Sequence, residues 1–208
     1  MTAISIRSRF HSPVAAGALA LILVLLAQIP CATAAQDPSA FITTVGTQGI
    51  EALRPDVSSS ERLGRFRQLL QEDFDLTGIG LFALGRYRAS ATPQEQQEYL
   101  RLYPDFTVRA FSARLDQYGG ASFRVTNRRP FGSETVVSSE IVRADGSRTP
   151  LDWYLTDVGG QYRITDVTVG GVSMKVALRD QFASWIENNG GRTSALLAVL
   201  RQQTAQGR

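Results

Sequence analysis

The sequence predicts an α+β fold, with helices packed on a curved antiparallel sheet of about four strands and further helices added. Apolar residues recur at steps of three and four up to about residue 118. They alternate at period two from 121 to 169, and then return to helical spacing. Glycine pairs fall at the boundaries, at Gly119-Gly120, Gly159-Gly160, Gly170-Gly171 and Gly190-Gly191. Helices first, then a one-faced sheet, then a helix laid back across it, make a two-layer sandwich.

The elements follow in order. Asp37-Pro38 supplies an N-cap and a proline at the first helical position, ahead of a stripe of Phe41, Ile42, Val45, Ile50 and Leu53. Ser58 and Glu61 stand at capping-box spacing before Leu63, Phe66, Leu69, Leu70 and Phe74. Asp73 and Asp75 end that helix and start the next, a short apolar segment from Asp75 to Leu84. Thr92-Pro93 with Glu95 is the strongest helix start in the chain. It opens a long helix marked by Tyr99, Tyr103, Phe106, Phe111 and Tyr118 and stopped by Gly119-Gly120. Pro104 falls inside it, where a missing N–H predicts a kink or a break.

Strands are expected over 122–127, 134–143, 149–156 and 162–169, with Asp145-Gly146 as a hairpin turn and Arg128 and Arg129 in a loop. Leu151, Trp153 and Leu155 share one face of the third strand. Ser173 caps a helix carrying Val176, Phe182, Trp185 and Ile186, and Thr193 caps a last one carrying Leu196, Leu197 and Leu200.

The N-terminus sets the compartment. Arg7 and Arg9 precede an apolar run from Val14 to Ile29 and an Ala32-Thr33-Ala34 site, the layout of a secretory signal over residues 1–34. The run falls short of the roughly 20 residues that a spanning helix needs. The expected mature chain, 35–208, is one domain, exported to the periplasm. It keeps 20 basic and 19 acidic residues, a net charge of +1, and has no basic stripe with interleaved aromatics, so nucleic acid is not an expected partner. The one Cys and one His of the chain, Cys31 and His11, both leave with the signal. That removes thiol and histidine catalysis and any Cys/His metal site, and no metal or cofactor is expected.

The remaining candidates for chemistry are sparse. Ser173 and Lys175, two apart on a helix, point away from each other; the plain reading is a capping serine and a solvated charge, Lys175 being the sole lysine. Asp73, Asp75, Asp152, Asp157 and Asp166 match no metal-loop spacing. Asp166, on a central strand, is either a ligand-contacting acid or an acceptor for an arginine or a turn backbone. Arg128 and Arg129 can meet an anion or solvent. What is in surplus is apolar and aromatic surface, and a curved sheet under helices can enclose a cavity as readily as a filled core.

The wording of the sequence is itself informative. Ala83-Leu84-Gly85-Arg86-Tyr87, followed by Ser90-Ala91-Thr92-Pro93 with Gln97, Tyr99 and Leu100, resembles a segment of the MlaC family, also called the toluene-tolerance or auxiliary-transport family. Tyr118-Gly119-Gly120, Asp145-Gly146, Leu151-Asp152-Trp153, Tyr162-Arg163-Ile164-Thr165-Asp166-Val167 and Gly171-Val172-Ser173-Met174 continue the likeness in order, over nearly all of residues 37–202. The chain departs from the pattern at Pro104. The resemblance implies a cystatin-like or nuclear-transport-factor-like fold, and a non-enzymatic periplasmic carrier of diacyl phospholipid. Such a carrier works between an inner-membrane ABC transporter complex and an outer-membrane lipoprotein complex, maintaining outer-membrane lipid asymmetry. A related branch, HpnM, is associated with hopanoids, which keeps that lipid class open.

For such a carrier the expected tail-lining residues are Phe74, Leu81, Leu84, Tyr103, Phe111, Val137, Ile141, Leu151, Trp153 and Ile164. Burial of about 0.8 kcal/mol per CH₂ holds a lipid without any head-group contact. The competing readings are an isomerase-like enzyme using Asp166 with Tyr154 or Tyr162, and a module that recognises only proteins.

Overall fold

The computed structural model describes residues 36–54, 56–115 and 118–205; the expected export signal lies outside them. Six helices pack on an open five-stranded antiparallel sheet. The helices are α1 (Pro38–Ala52), α2 (Ser59–Asp73), α3 (Leu76–Leu84), α4 (Pro93–Leu115), α5 (Met174–Glu187) and α6 (Thr193–Ala205). The strands are β1 (Ser122–Phe131), β2 (Glu134–Val142), β3 (Arg148–Val158), β4 (Gln161–Val169) and the two-residue β5 (Val172–Ser173). They lie in chain order, a meander with one short strand beyond the expected four.

Helix starts fall where local hydrogen bonding dictates. Asp37 accepts from the N–H groups of Ser39 and Ala40 at 2.8 and 2.9 Å, Ser58 accepts from Glu61 N–H at 3.3 Å, and Asp75 accepts from Gly78 N–H at 2.9 Å. At α4 the box is reciprocal: Thr92 N–H donates to Glu95 Oε2 at 2.9 Å, and Glu95 N–H donates to Thr92 Oγ1 at 3.2 Å. The helix runs on through Pro104 without a break. Proline removes one donor and leaves the other turns intact, and Tyr103 and Phe106 on either side are buried and hold the path. The last helix differs from expectation. Thr193 Oγ1 is buried and accepts nothing from the first turn, so Thr193 packs instead of capping.

One further expectation is corrected. Arg128 and Arg129 belong to β1, which extends to Phe131; the turn is at Gly132, where φ is +60°. This stretch lies on an edge strand with both faces exposed, so the apolar alternation that would reveal a strand is missing. Both arginines are paired, Arg128 with Asp37 at 2.6 Å and Arg129 with Asp152 at 3.5 Å. Beyond the described stretch of the long helix, Pro93–Leu115, the Tyr118 ring lies 4.6 Å under the Arg143 guanidinium. The β3–β4 turn takes Gly159 and Gly160 because both have positive φ, +66° and +89°.

The buried residues form two clusters. One lies between the sheet and α1, with Ile42, Val137, Leu155 and Ile164 at its centre; the other lies among α3, α4, α5 and α6, with Tyr99, Phe182, Ile186 and Leu196. Phe74, in the α2–α3 link, packs against both. There the chain pairs with β4: Asp75 N–H donates to Ile164 O at 2.9 Å. Arg201 on α6 holds Glu98 on α4 through bonds of 2.7 and 2.6 Å, and Arg67 on α2 meets Asp105 on α4 at 3.0 Å.

Candidate functional site: an apolar cavity

Where the two clusters face each other they enclose a cavity of about 190 Å³. Its wall on one side comes from Val45 and Ile50 of α1, Leu69 of α2 and the inner face of the sheet, with Phe123, Ile141, Leu151, Trp153, Val167 and Val169. On the other side stand Ile79 of α3, Tyr103 and Phe111 of α4, and Leu178 of α5, with Phe74 at the junction. Period-two spacing puts Leu151 and Trp153 on one face of β3, and register places Trp153 opposite Val137 and Val167. The spacing of Tyr103, Thr107 and Phe111 puts all three on one face of α4.

The Trp153, Thr107 and Asp166 side chains in the wall are held by protein partners. Trp153 Nε1 donates to Ser139 Oγ at 2.8 Å, and Thr107 Oγ1 donates to Tyr103 O at 2.9 Å. Burial pushes the Tyr103 phenol up to about 12, so it stays protonated. Tyr99, pushed up further by burial, donates to Gly80 O at 2.8 Å. Asp166 accepts from Ser173 Oγ at 2.5 Å and from the N–H groups of Val167 and Lys175 at 2.8 and 3.1 Å. It thus serves a turn backbone and the start of α5. Tyr154 stands opposite Asp166 in the β3–β4 register, but its ring meets Phe131 edge-on at 5.5 Å, and the Tyr162 ring lies against Phe41.

Of the residues expected to line a tail site, Phe74, Tyr103, Phe111, Ile141, Leu151 and Trp153 stand in the cavity wall. Leu84, Val137 and Ile164 are fully buried inside the packed clusters, and Leu81 is half-buried on α3 outside the wall. The sequence reading passed over the contribution of α1, where Gly46 and Gly49 also border the cavity. A glycine inside a helix costs about 1 kcal/mol against alanine, and it marks a close approach at Gly46, beside Phe123, but not at Gly49. Lys175, expected as a solvated charge, is half-buried and stands in the wall.

Among the described residues no group of three or more acidic, His or Cys side chains is placed to hold a metal, and no helix is long and apolar enough to cross a membrane. The family model described as MlaC protein matches residues 45–202. A toluene tolerance protein of Pseudomonas putida, ttg2D, is 24% identical over 177 residues, covering 81% of this chain and 82% of that one. A solved phospholipid-binding protein from Ralstonia solanacearum, in complex with a phospholipid, has a similar fold. Its TM-score is 0.66 at 20% identity, over 82% of this chain and 98% of the other.

Proposed function

This chain belongs to the MlaC family, and we propose that it is a periplasmic lipid carrier that holds acyl chains in the cavity between its two clusters. The observation behind this reading is the cavity wall: aliphatic and aromatic side chains from both layers, with the Thr107 hydroxyl, the Trp153 indole and the Asp166 carboxylate bound to protein partners. Such a surface gains by excluding water from a methylene chain, at about 25 cal/mol per Å² buried, and offers no activated nucleophile or free base. The solved structure of similar fold that holds a phospholipid supports a phospholipid as the cargo.

In this reading residues 1–34 direct export, and 35–208 form the carrier domain. It takes lipid from or to an inner-membrane ABC transporter complex and an outer-membrane lipoprotein complex, maintaining outer-membrane asymmetry. Phe74, Tyr103, Phe111, Ile141, Leu151 and Trp153 contact the tails. Leu84, Val137 and Ile164 belong to the packed clusters behind that wall, and Leu81 lies outside it.

The test is organic extraction of the purified mature protein followed by mass spectrometry. Stoichiometric diacyl phospholipid is the expected result, a hopanoid would reassign the cargo, and a folded protein free of lipid would overturn the reading.

A further inference from the structure

The cavity wall contains one cation, Lys175 near the start of α5. Its side chain reaches from the wall to the ring of Phe82 on α3, with Nζ 5.2 Å from the ring centroid. Phe82 is 38% exposed, so the ammonium sits where the wall meets the surface. The neighbouring charges are committed elsewhere. Arg179, which also lies over Phe82 at 5.5 Å, donates to Asp180 at 3.0 and 3.1 Å, and Asp166 is occupied by Ser173 and two backbone N–H groups. No carboxylate among the described residues forms an ion pair with Lys175. A snorkelling lysine needs only a path to water. Here the backbone N–H is bound to Asp166, and the ammonium lies over an aromatic face, a contact of modest strength that leaves its charge unneutralised.

We propose that Lys175 pairs with the anionic oxygen group of an amphiphile whose apolar part fills the cavity, so that the site selects anionic over neutral lipids. This rests on the carrier reading and adds a polar determinant to it. The group is a phosphodiester, from a lipid head group, or a carboxylate, from a free fatty acid; both present an anionic oxygen to an ammonium.

The experiment compares affinities of the purified protein for dioleoylphosphatidylglycerol and dioleoylglycerol, which share tails and differ in charge, and for oleate and oleyl alcohol. In the wild type the anionic member of at least one pair should bind about tenfold tighter, the ratio that 1.4 kcal/mol gives. Lys175→Met should bring that ratio close to one and Lys175→Arg should restore it, with folding checked by thermal denaturation. Lys175→Gln serves if the Met variant does not fold. Dependence confined to the glycerol pair assigns a phosphodiester, and dependence confined to the oleyl pair a carboxylate. A wild-type ratio near one in both pairs, or a ratio unchanged in Lys175→Met, overturns the proposal while leaving the carrier standing. Absence of binding to all four removes both.

Discussion

The ring of Phe123 lies so close to Gly46 that a Cβ at that position would sit 2.2 Å from Phe123 Cε1. Strand β1 and helix α1 therefore meet through a residue with no side chain. Gly46→Ala gains helix propensity but must push the ring toward the cavity, and overpacking of this kind costs about 1–3 kcal/mol. Gly49, three residues on, has nothing within 4 Å of its would-be Cβ. Gly49→Ala should raise stability by about 0.5–1 kcal/mol. Urea denaturation of the two single mutants should show opposite signs; equal shifts would contradict the packing described.

Packed and lining positions should separate under substitution. Leu84 is 1% exposed within the helical cluster. Leu84→Ala should cost about 2–5 kcal/mol through the void it leaves, with lipid still co-purifying. Leu151 faces the cavity. Leu151→Asp should abolish lipid co-purification while leaving a folded circular-dichroism spectrum. A Leu151→Asp protein that still carries lipid would count against this wall.

Asp166 ties β4 to the first turn of α5 through Ser173 and Lys175. Asp166→Ala strands these buried donors, at about 1–3 kcal/mol, whereas Asp166→Asn keeps one acceptor and should lose less. Equilibrium unfolding in urea orders the three proteins.

Asp73 has the opposite sign to Asp37, Asp56, Glu98, Glu140 and Asp145, whose carboxyls are held low. Burial chiefly, with Glu72 beside it, holds its pKa above 3.8, while Arg163 opposes. A raised folded pKa means that the native state binds the proton more tightly. Asp73 therefore costs stability above its folded pKa, and the cost vanishes as pH falls below the unfolded value. Asp73→Asn should stabilise the protein at pH 7 by no more than about 1 kcal/mol, after discounting for solvent screening, and by nothing near pH 3. Glu98 and Glu140 run the other way: hydrogen bonds from Arg201 and Arg124 hold their carboxyls low, so their contribution is lost in acid.

The helix starts and the meander were legible because they are local: Thr92 and Glu95 meet within one turn, and Leu151, Trp153 and Leu155 declare their face by alternation. The end of β1 was not, because an exposed edge strand shows no alternation. The site was half legible. Trp153 and Val137 are cross-strand partners with the same apolar signature, yet only Trp153 borders the cavity. That difference depends on where α1 and α4 stand above the sheet, which no period in the sequence records. Lys175 looked like a surface charge because its neighbour Phe82 is distant in sequence and adjacent only in the fold.

The link at Phe74, shared by both clusters and pinned to β4 through Asp75 and Ile164, bears on how much the molecule can hold. The space is a seam between the two clusters, which are joined at Phe74 and also through Asp166, between β4 and α5, and through Arg67 with Asp105, between α2 and α4. Width at the seam depends on the side chains that face it, such as Phe111 and Leu151, whereas Leu84 and Val137 lie wholly within the clusters. Selection for stability and selection for cargo size can act on different residues.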